Sequence, residues 1–111
     1  MKCFTSLRKY DEMDFIMKAE PVIDENHEFS DGAKAELVVW RVPKPLAGSS
    51  HALKYRLAYI ERKVCVIRYD NEAGKGDHKH IGRRESQYRF TDLETLLVDF
   101  WTAVDEWRNK S

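Results

Sequence analysis

The fold of this chain is decided by the stretch Leu53-Lys-Tyr-Arg-Leu-Ala-Tyr-Ile-Glu-Arg-Lys-Val-Cys-Val-Ile-Arg-Tyr69. Its first half alternates, so that Leu53 and Tyr55 point to one face of a strand while Lys54 and Arg56 point to the other. Its second half is rich in β-branched residues, which favour strands. Residues 61–63 form a short polar connection between the halves, so the stretch predicts an antiparallel hairpin. The connection lacks the Asn-Gly pair that would define its register.

Further segments extend the predicted sheet on both sides of this hairpin. Residues 18–29 predict an edge strand, because they contain a proline, which cannot donate a hydrogen bond to a neighbouring strand. Residues 35–42 carry apolar side chains on both faces, which indicates an interior strand. Residues 78–81 and 87–90 predict a second hairpin that bends at Gly82.

The C-terminal segment predicts an amphipathic helix. It opens on Thr91-Asp-Leu-Glu94, a capping box in which the side chains of Thr91 and Glu94 bond each other's backbone amides. Apolar residues then recur at helical spacing, which gives the helix a stripe that can cover one face of a sheet. The sequence therefore predicts an α+β fold, in which an antiparallel β-sheet of about four to six strands is packed by a C-terminal α-helix.

The composition is that of one globular domain. The chain has 111 residues, of which 42% are hydrophobic and 34% charged. No apolar run approaches the about 20 residues of a membrane span, and the N-terminus lacks the apolar core of a signal peptide. We therefore expect a cytoplasmic protein that does not bind membranes. Residues 1–17 are expected to be an N-terminal extension or short helix, and residues 18–111 a single domain.

Charge is distributed unevenly although the formal net charge is zero. Residues 41–68 hold seven Lys or Arg and a single acid, whereas residues 91–111 hold five acids and two bases. A local basic face attracts a polyanion without any net positive charge on the protein. The alternative is that these charges only solvate one face of the sheet.

Residues 68–80 are the densest polar segment, and we expect a loop delivered by the preceding strand. His78 and His80 are two residues apart and would project together. With neighbouring acids they form a set that suits a divalent metal ion: Asp70, Glu72, Asp77, His78 and His80. No helical H-E-x-x-H pattern supports that site, and the two glycines of the segment lack P-loop spacing. The first hypothesis is therefore a site without a cofactor, and a divalent metal is the alternative.

The same region supplies every group needed to cleave RNA without a metal. Such cleavage needs a base, an acid and cations that stabilise the charge on phosphorus. Histidine suits the first two roles because its ordinary pKa is about 6.5. The candidates for acid–base catalysis are His78 and His80, with His51 as a third. Arginine and lysine would hold phosphate, and a tyrosine would stack on a base: Lys54, Arg56, Arg68, Lys75, Arg83 and Tyr55.

Four strings of this sequence resemble the TumE family: residues 35–43 (AELVVWRVP), 49–57 (SSHALKYRL), 68–72 (RYDNE) and 74–82 (GKGDHKHIG). The resemblance runs from about residue 18 to residue 107. It implies a toxin of a bacterial toxin–antitoxin module, neutralised by direct contact with a cognate antitoxin that carries a DNA-binding domain. It does not assign a reaction or catalytic residues.

The preferred hypothesis combines these observations in a toxin that acts on RNA as a small ribonuclease. Two alternatives stay open: a metal-dependent nuclease, and a non-catalytic module that binds a polyanion or a protein. Whether the chain is an enzyme and whether it forms a homodimer are left open by the sequence.

Overall fold

The computed structural model describes residues 19–72 and 74–110, which form a six-stranded antiparallel sheet and one helix. The strands lie side by side in chain order. They are β1 (Glu20–Glu28), β2 (Lys34–Arg41), β3 (Leu53–Glu61), β4 (Val64–Glu72), β5 (Gly76–Ile81) and β6 (Arg84–Gln87), followed by helix α1 (Leu93–Asn109). The predicted α+β fold is therefore confirmed. The predicted extension, residues 1–17, lies outside the described residues.

The hairpin predicted from residues 53–69 is confirmed as β3–β4. Its turn consists of Arg62 and Lys63, whose φ angles are 50° and 67°. Two consecutive left-handed residues are characteristic of the tight turn that usually carries Asn-Gly. Here two long basic side chains adopt it instead. A register shift after Tyr59, which pairs with Ile67, inserts an irregularity next to this turn.

The polar segment 68–80 is a second hairpin, so the expected loop was a wrong prediction. β4 continues to Glu72 and β5 begins at Gly76, which leaves only residues 73–75 as a connection. Glycines at 74 and 76 have φ angles of 87° and 75°, which let the chain reverse this tightly. The polar residues can remain in strands because hydrogen bonds between the strands satisfy their backbone amides and carbonyls.

The third hairpin, β5–β6, confirms the predicted bend at Gly82, where φ is 63°. Its second strand was predicted at residues 87–90 but lies at Arg84–Gln87. The two-residue turn moves the pairing toward the bend, so residues 88–90 lie beyond β6 and lead toward the helix. They thereby become free to line a site.

Helix α1 covers one face of the sheet and forms the core with it. Leu96, Phe100 and Val104 of the helix are fully buried. They pack on alternate residues of the inner strands: Ala35, Leu37, Val39, Leu57, Tyr59, Ile67 and Tyr69. A hydrogen bond of 2.6 Å from the Arg108 guanidinium to the hydroxyl of Tyr59 anchors the last turn of the helix to this face.

The helix begins one residue later than predicted. Asp92, with extended φ and ψ angles of −155° and 168°, is the N-cap, and its carboxylate accepts a bond of 2.7 Å from the Thr95 amide. The predicted capping box of Thr91 and Glu94 is therefore wrong. A carboxylate both caps the amides and complements the positive end of the helix dipole, so Asp92 is the stronger cap of the two neighbours.

Replacement of Asp92 with alanine should lower the melting temperature near pH 7, whereas Thr91→Ala should leave it unchanged. The Thr95 amide holds the pKa of Asp92 below its ordinary value of 3.8. The stabilisation is therefore complete above that ordinary pKa and is lost as pH falls through the lowered pKa of the folded state. Thermal melts at about pH 7 and about pH 2 should show the Asp92→Ala deficit shrinking in acid. An equal deficit in Thr91→Ala would contradict this cap.

Candidate functional site

The sheet divides the predicted site residues between its two faces. On the face that α1 covers, Tyr55 and Asp77 lie together with His51. The opposite face, called here the polar face, carries a charged cluster: Arg56, Arg68, Asp70, His78, His80 and Glu85. Strand alternation therefore separates Asp77 from His78, its neighbour in sequence, and the five predicted metal ligands do not converge.

An open cavity of about 560 Å³ lies on the helix-covered side of the sheet. Three short segments line it, residues 48–50, 75–77 and 87–90. The side chains of Lys75 and Arg89 are exposed, so two cations are accessible at its wall. Cations next to hydroxyl and aromatic groups suit a ligand that carries phosphate.

Asp77 is the central polar group of this cavity. One carboxylate oxygen accepts a hydrogen bond of 2.6 Å from the Ser49 hydroxyl. The other accepts bonds of 2.6 Å from Nε2 of His51 and 2.8 Å from the Tyr55 hydroxyl. Three donors from two chain segments therefore hold the carboxylate in one orientation at the cavity wall.

The ring of His51 is fully engaged by the protein. Its Nδ1 accepts a hydrogen bond of 3.2 Å from the Leu53 amide, so its Nε2 carries the proton donated to Asp77. Phe90 stacks on the ring at a centroid distance of 3.7 Å. Because both nitrogens and one ring face are used, His51 is placed to orient Asp77 rather than to exchange a proton with a ligand.

Asn71 ties the cavity wall to the sheet. This side chain is 1% exposed. Its oxygen accepts from the Tyr55 amide at 2.9 Å, and its nitrogen donates to the Leu53 carbonyl at 2.7 Å and to Ser49 at 3.3 Å. The Tyr55 ring is also 1% exposed, which leaves no surface on which a base could stack. Burial, followed by the contact with Asp77, raises the pKa of Tyr55, so its hydroxyl remains a donor.

Two glycines let the backbone of the cavity come together. A Cβ atom on Gly48 would lie 2.7 Å from the amide nitrogen of Gly76, closer than real Cβ contacts allow. The amide of Gly74 also donates to the Ala47 carbonyl at 2.7 Å. The loop before β3 and the turn before β5 therefore form one rigid wall. This close approach requires glycine at positions 48 and 76, where a side chain would not fit.

The polar face holds a compact ionic network. Asp70 lies 3.2 Å from Nε of Arg68 and 3.1 Å from Nε2 of His78. Nε2 of His80 accepts from Arg68 at 2.8 Å and lies 3.1 Å from a carboxylate oxygen of Glu85. Burial, followed by the neighbouring Arg68, lowers the pKa of His80, and burial raises the pKa of Asp70.

Two predicted phosphate ligands on this face are poorly placed for that role. Lys54 is 5% exposed and Arg56 4% exposed, and burial lowers the pKa of Arg56 to about 10. Arg56 lies 3.8 Å from Glu36, so a carboxylate already neighbours it. Burial therefore keeps these two cations of the predicted basic segment from reaching a polyanion. Arg83 is exposed in the turn between β5 and β6, outside the strand positions that carry the two clusters.

Five side chains of these clusters were not predicted from the sequence: Ser49, Asn71, Arg89, Phe90 and Glu85. Ser49, Arg89 and Phe90 lie outside regular strands, where no periodicity marks a residue. Glu85 is cross-strand neighbour to His80, a relation that follows only from the register of β5 with β6. Because the sequence predicted that β6 begins at residue 87, Glu85 was not expected to pair with His80.

A family model described as toxin TumE matches residues 14–108 of the chain. Comparison with curated proteins and with solved structures finds no match. Within the described residues, no helix has both the length and the apolar character needed to cross a membrane. The family match agrees with the resemblance carried by the four sequence strings.

Proposed function

Because the chain belongs to the TumE family of toxins, we propose that it inhibits growth by binding RNA in the cavity beside Asp77 and cleaving it. Membership of a toxin family implies an antitoxin partner. The proposal adds that this antitoxin carries a DNA-binding domain and that the toxin meets its RNA in the cytoplasm. The proposal makes no statement on a homodimer, which the sequence left open.

The observation that carries the proposal is the accessibility of cations at the cavity. A polyanion binds where Lys and Arg side chains can reach its phosphates from solvent. Lys75 and Arg89 meet that condition, because both are exposed at the cavity wall. Lys54 and Arg56, at 5% and 4% exposure, do not. We therefore assign substrate binding to the cavity and not to the polar face.

The chemistry proposed is attack of the ribose 2′-hydroxyl on the adjacent phosphorus. Asp77 takes the proton of that hydroxyl, while Lys75 and Arg89 stabilise the negative charge that develops on the phosphate oxygens. The bond from phosphorus to the 5′ oxygen breaks, and this oxygen takes a proton from water in the open cavity. The products are a 2′,3′-cyclic phosphate and a 5′-hydroxyl end.

The proposal gives the three candidate histidines other roles than the acid–base roles expected from the sequence. His51 acts through Asp77 as a positioning residue, because both of its ring nitrogens are bonded within the protein. His78, at 6% exposure, and His80 lie on the polar face and are given no contact with RNA. The non-catalytic alternative would use the same two cations but would form no cleaved product.

Double charge reversal, Lys75→Glu with Arg89→Glu, should abolish growth arrest when the toxin is induced without antitoxin. Loss of both phosphate contacts should weaken RNA binding by the purified chain at least about tenfold. The matched control is Lys44→Glu with Lys63→Glu, which changes the net charge equally at exposed positions outside the cavity. Growth curves, fluorescence anisotropy on a short RNA and gel analysis of cleavage measure the three effects.

Three results would overturn the proposal. Cleavage that persists in the cavity double variant but disappears in a folded His80→Ala variant would move the site to the polar face. Tight RNA binding without any cleaved product would support the non-catalytic module. Equal loss of toxicity in the cavity variant and in its control would show that the change in net charge alone causes the effect.

A further inference from the structure

Three side chains converge on the polar face where β5 and β6 lie side by side. One carboxylate oxygen of Glu85 is 3.1 Å from Nε2 of His80 and 3.7 Å from Nε2 of His78. The three potential ligand atoms all lie within 4.8 Å of one another. Metal ions bound by imidazole and carboxylate at about 2.0–2.2 Å place adjacent ligand atoms about 3–3.5 Å apart. The two separations that involve Glu85 are close to what one ion requires.

The orientation of His78 supports this reading. Its Nδ1 lies 3.1 Å from the carbonyl oxygen of Gly76 and donates to it. In the neutral ring Nε2 is then an unprotonated acceptor, and it faces carboxylate oxygens of Asp70 and Glu85. Acceptors facing one another repel unless a cation lies between them. A backbone carbonyl that orients a histidine in this way is a common feature of metal-binding proteins.

Asp70 is a second, independent observation. The residue is 2% exposed. Among the described residues, no group donates a well-formed hydrogen bond to either of its buried carboxylate oxygens. One oxygen is nevertheless only 3.1 Å from Nε2 of His78, although Asp70 is not part of the set whose ligand atoms all lie within 4.8 Å of one another. Its buried negative charge next to that set favours a cation there.

We propose that His78, His80 and Glu85 bind a divalent transition-metal ion next to the buried carboxylate of Asp70, with water as the fourth ligand. Two imidazoles and a carboxylate suit Zn²⁺ or Co²⁺ better than Mg²⁺, which prefers oxygen donors. The exposed side chain of Glu85 gives the ion an entry path from solvent. The bound ion would join β5 and β6. This proposal does not depend on RNA cleavage at the cavity.

Arg68 is the group that competes with the ion. Its guanidinium donates to Nε2 of His80 at 2.8 Å and lies 3.2 Å from Asp70. It supplies positive charge next to the position that the ion would take. Binding therefore requires Arg68 to release His80, and Arg68→Met should tighten binding because the ion then meets less positive charge.

The test is titration of the metal-stripped purified chain with ZnCl₂ by calorimetry and with CoCl₂ by visible absorption. We expect one ion per chain, and Co²⁺ bands of a four-coordinate nitrogen–oxygen site. His80→Ala and Glu85→Gln should each weaken binding by more than about a hundredfold, since loss of an orienting group alone costs 10–100-fold. Circular dichroism of each variant confirms that it is folded.

The matched control is His27→Ala. His27 pairs with Glu25 at 3.1 Å, the same separation as His80 and Glu85, but on exposed β1 and outside the convergent set. Its replacement should leave stoichiometry and affinity unchanged. Absence of binding by both the parent chain and Arg68→Met would overturn the proposal. Binding that survives in folded Glu85→Gln, or that disappears in His27→Ala, would also overturn it.

Discussion

Replacing Phe100 with alanine should lower the free energy of unfolding by about 3–5 kcal/mol, as expected for a large side chain removed from a packed core. Phe100 is fully buried. Its ring meets Tyr69 of the sheet edge-on at a centroid distance of 6.0 Å and Trp101 at 5.1 Å. The cavity left by the substitution lies where α1 contacts the middle of the sheet, so neighbouring side chains cannot refill it easily. Urea unfolding followed by circular dichroism measures the change.

The control on the same helix is Val98→Ala. Val98 is 58% exposed, so its truncation should change the unfolding free energy by no more than about 0.5 kcal/mol. The two variants shorten side chains two positions apart on one helix. They differ chiefly in whether the side chain faces the sheet or the solvent. Similar losses in both would contradict the packing of α1 on the sheet.

Asp77→Ala should abolish RNA cleavage and also destabilise the fold by about 2–4 kcal/mol, because charge-assisted hydrogen bonds are lost and their donors stay partly buried. Ser49, His51 and Tyr55 all lose their acceptor in this variant. Water entering from the open cavity can satisfy some of these donors, which keeps the expected loss below the sum of three separate bonds. Unfolding measurements, together with cleavage assays on the folded fraction, separate the two effects.

Asp77→Asn distinguishes catalysis from support of the fold. Its remaining oxygen can still accept from His51 and Tyr55, while its amide nitrogen donates to Ser49 once that hydroxyl rotates. Stability should therefore fall by only about 1 kcal/mol. Cleavage should still be lost, because an amide does not take the proton of the 2′-hydroxyl. Full cleavage by Asp77→Asn would show that Asp77 has no part in proton transfer.

Local patterns predicted the elements that depend on neighbouring residues in the chain. Alternation in residues 53–69 predicted the β3–β4 hairpin, the proline of β1 predicted an edge strand, and the apolar stripe predicted α1. Predictions failed where a polar segment was taken for a loop. Residues 70–72 and 76–80 are hydrophilic, yet they pair as strands because hydrogen bonding of the backbone does not depend on side-chain polarity.

Side-chain partnership over long sequence distance could not be predicted from those patterns. Asp77 meets Ser49 and His51 across separations of 28 and 26 residues, through a loop that has no periodicity. Glu85 meets His80 only because the turn at Gly82 sets their register. Burial of Arg56 likewise follows from packing and not from its type. Each of these relations depends on where separate segments meet in space.

The sequence by itself determined the α+β class, the central hairpin and the toxin family, because alternation, an apolar helical stripe and ordered strings are local properties of the chain. Tertiary structure alone decided which polar residues form a common site. Adjacent side chains of a strand point to opposite faces, so Asp77 joined the cavity with Lys75 and Arg89 while His78 joined Asp70 and Glu85 on the polar face. A dense polar segment was thereby divided into two sites with different chemistry.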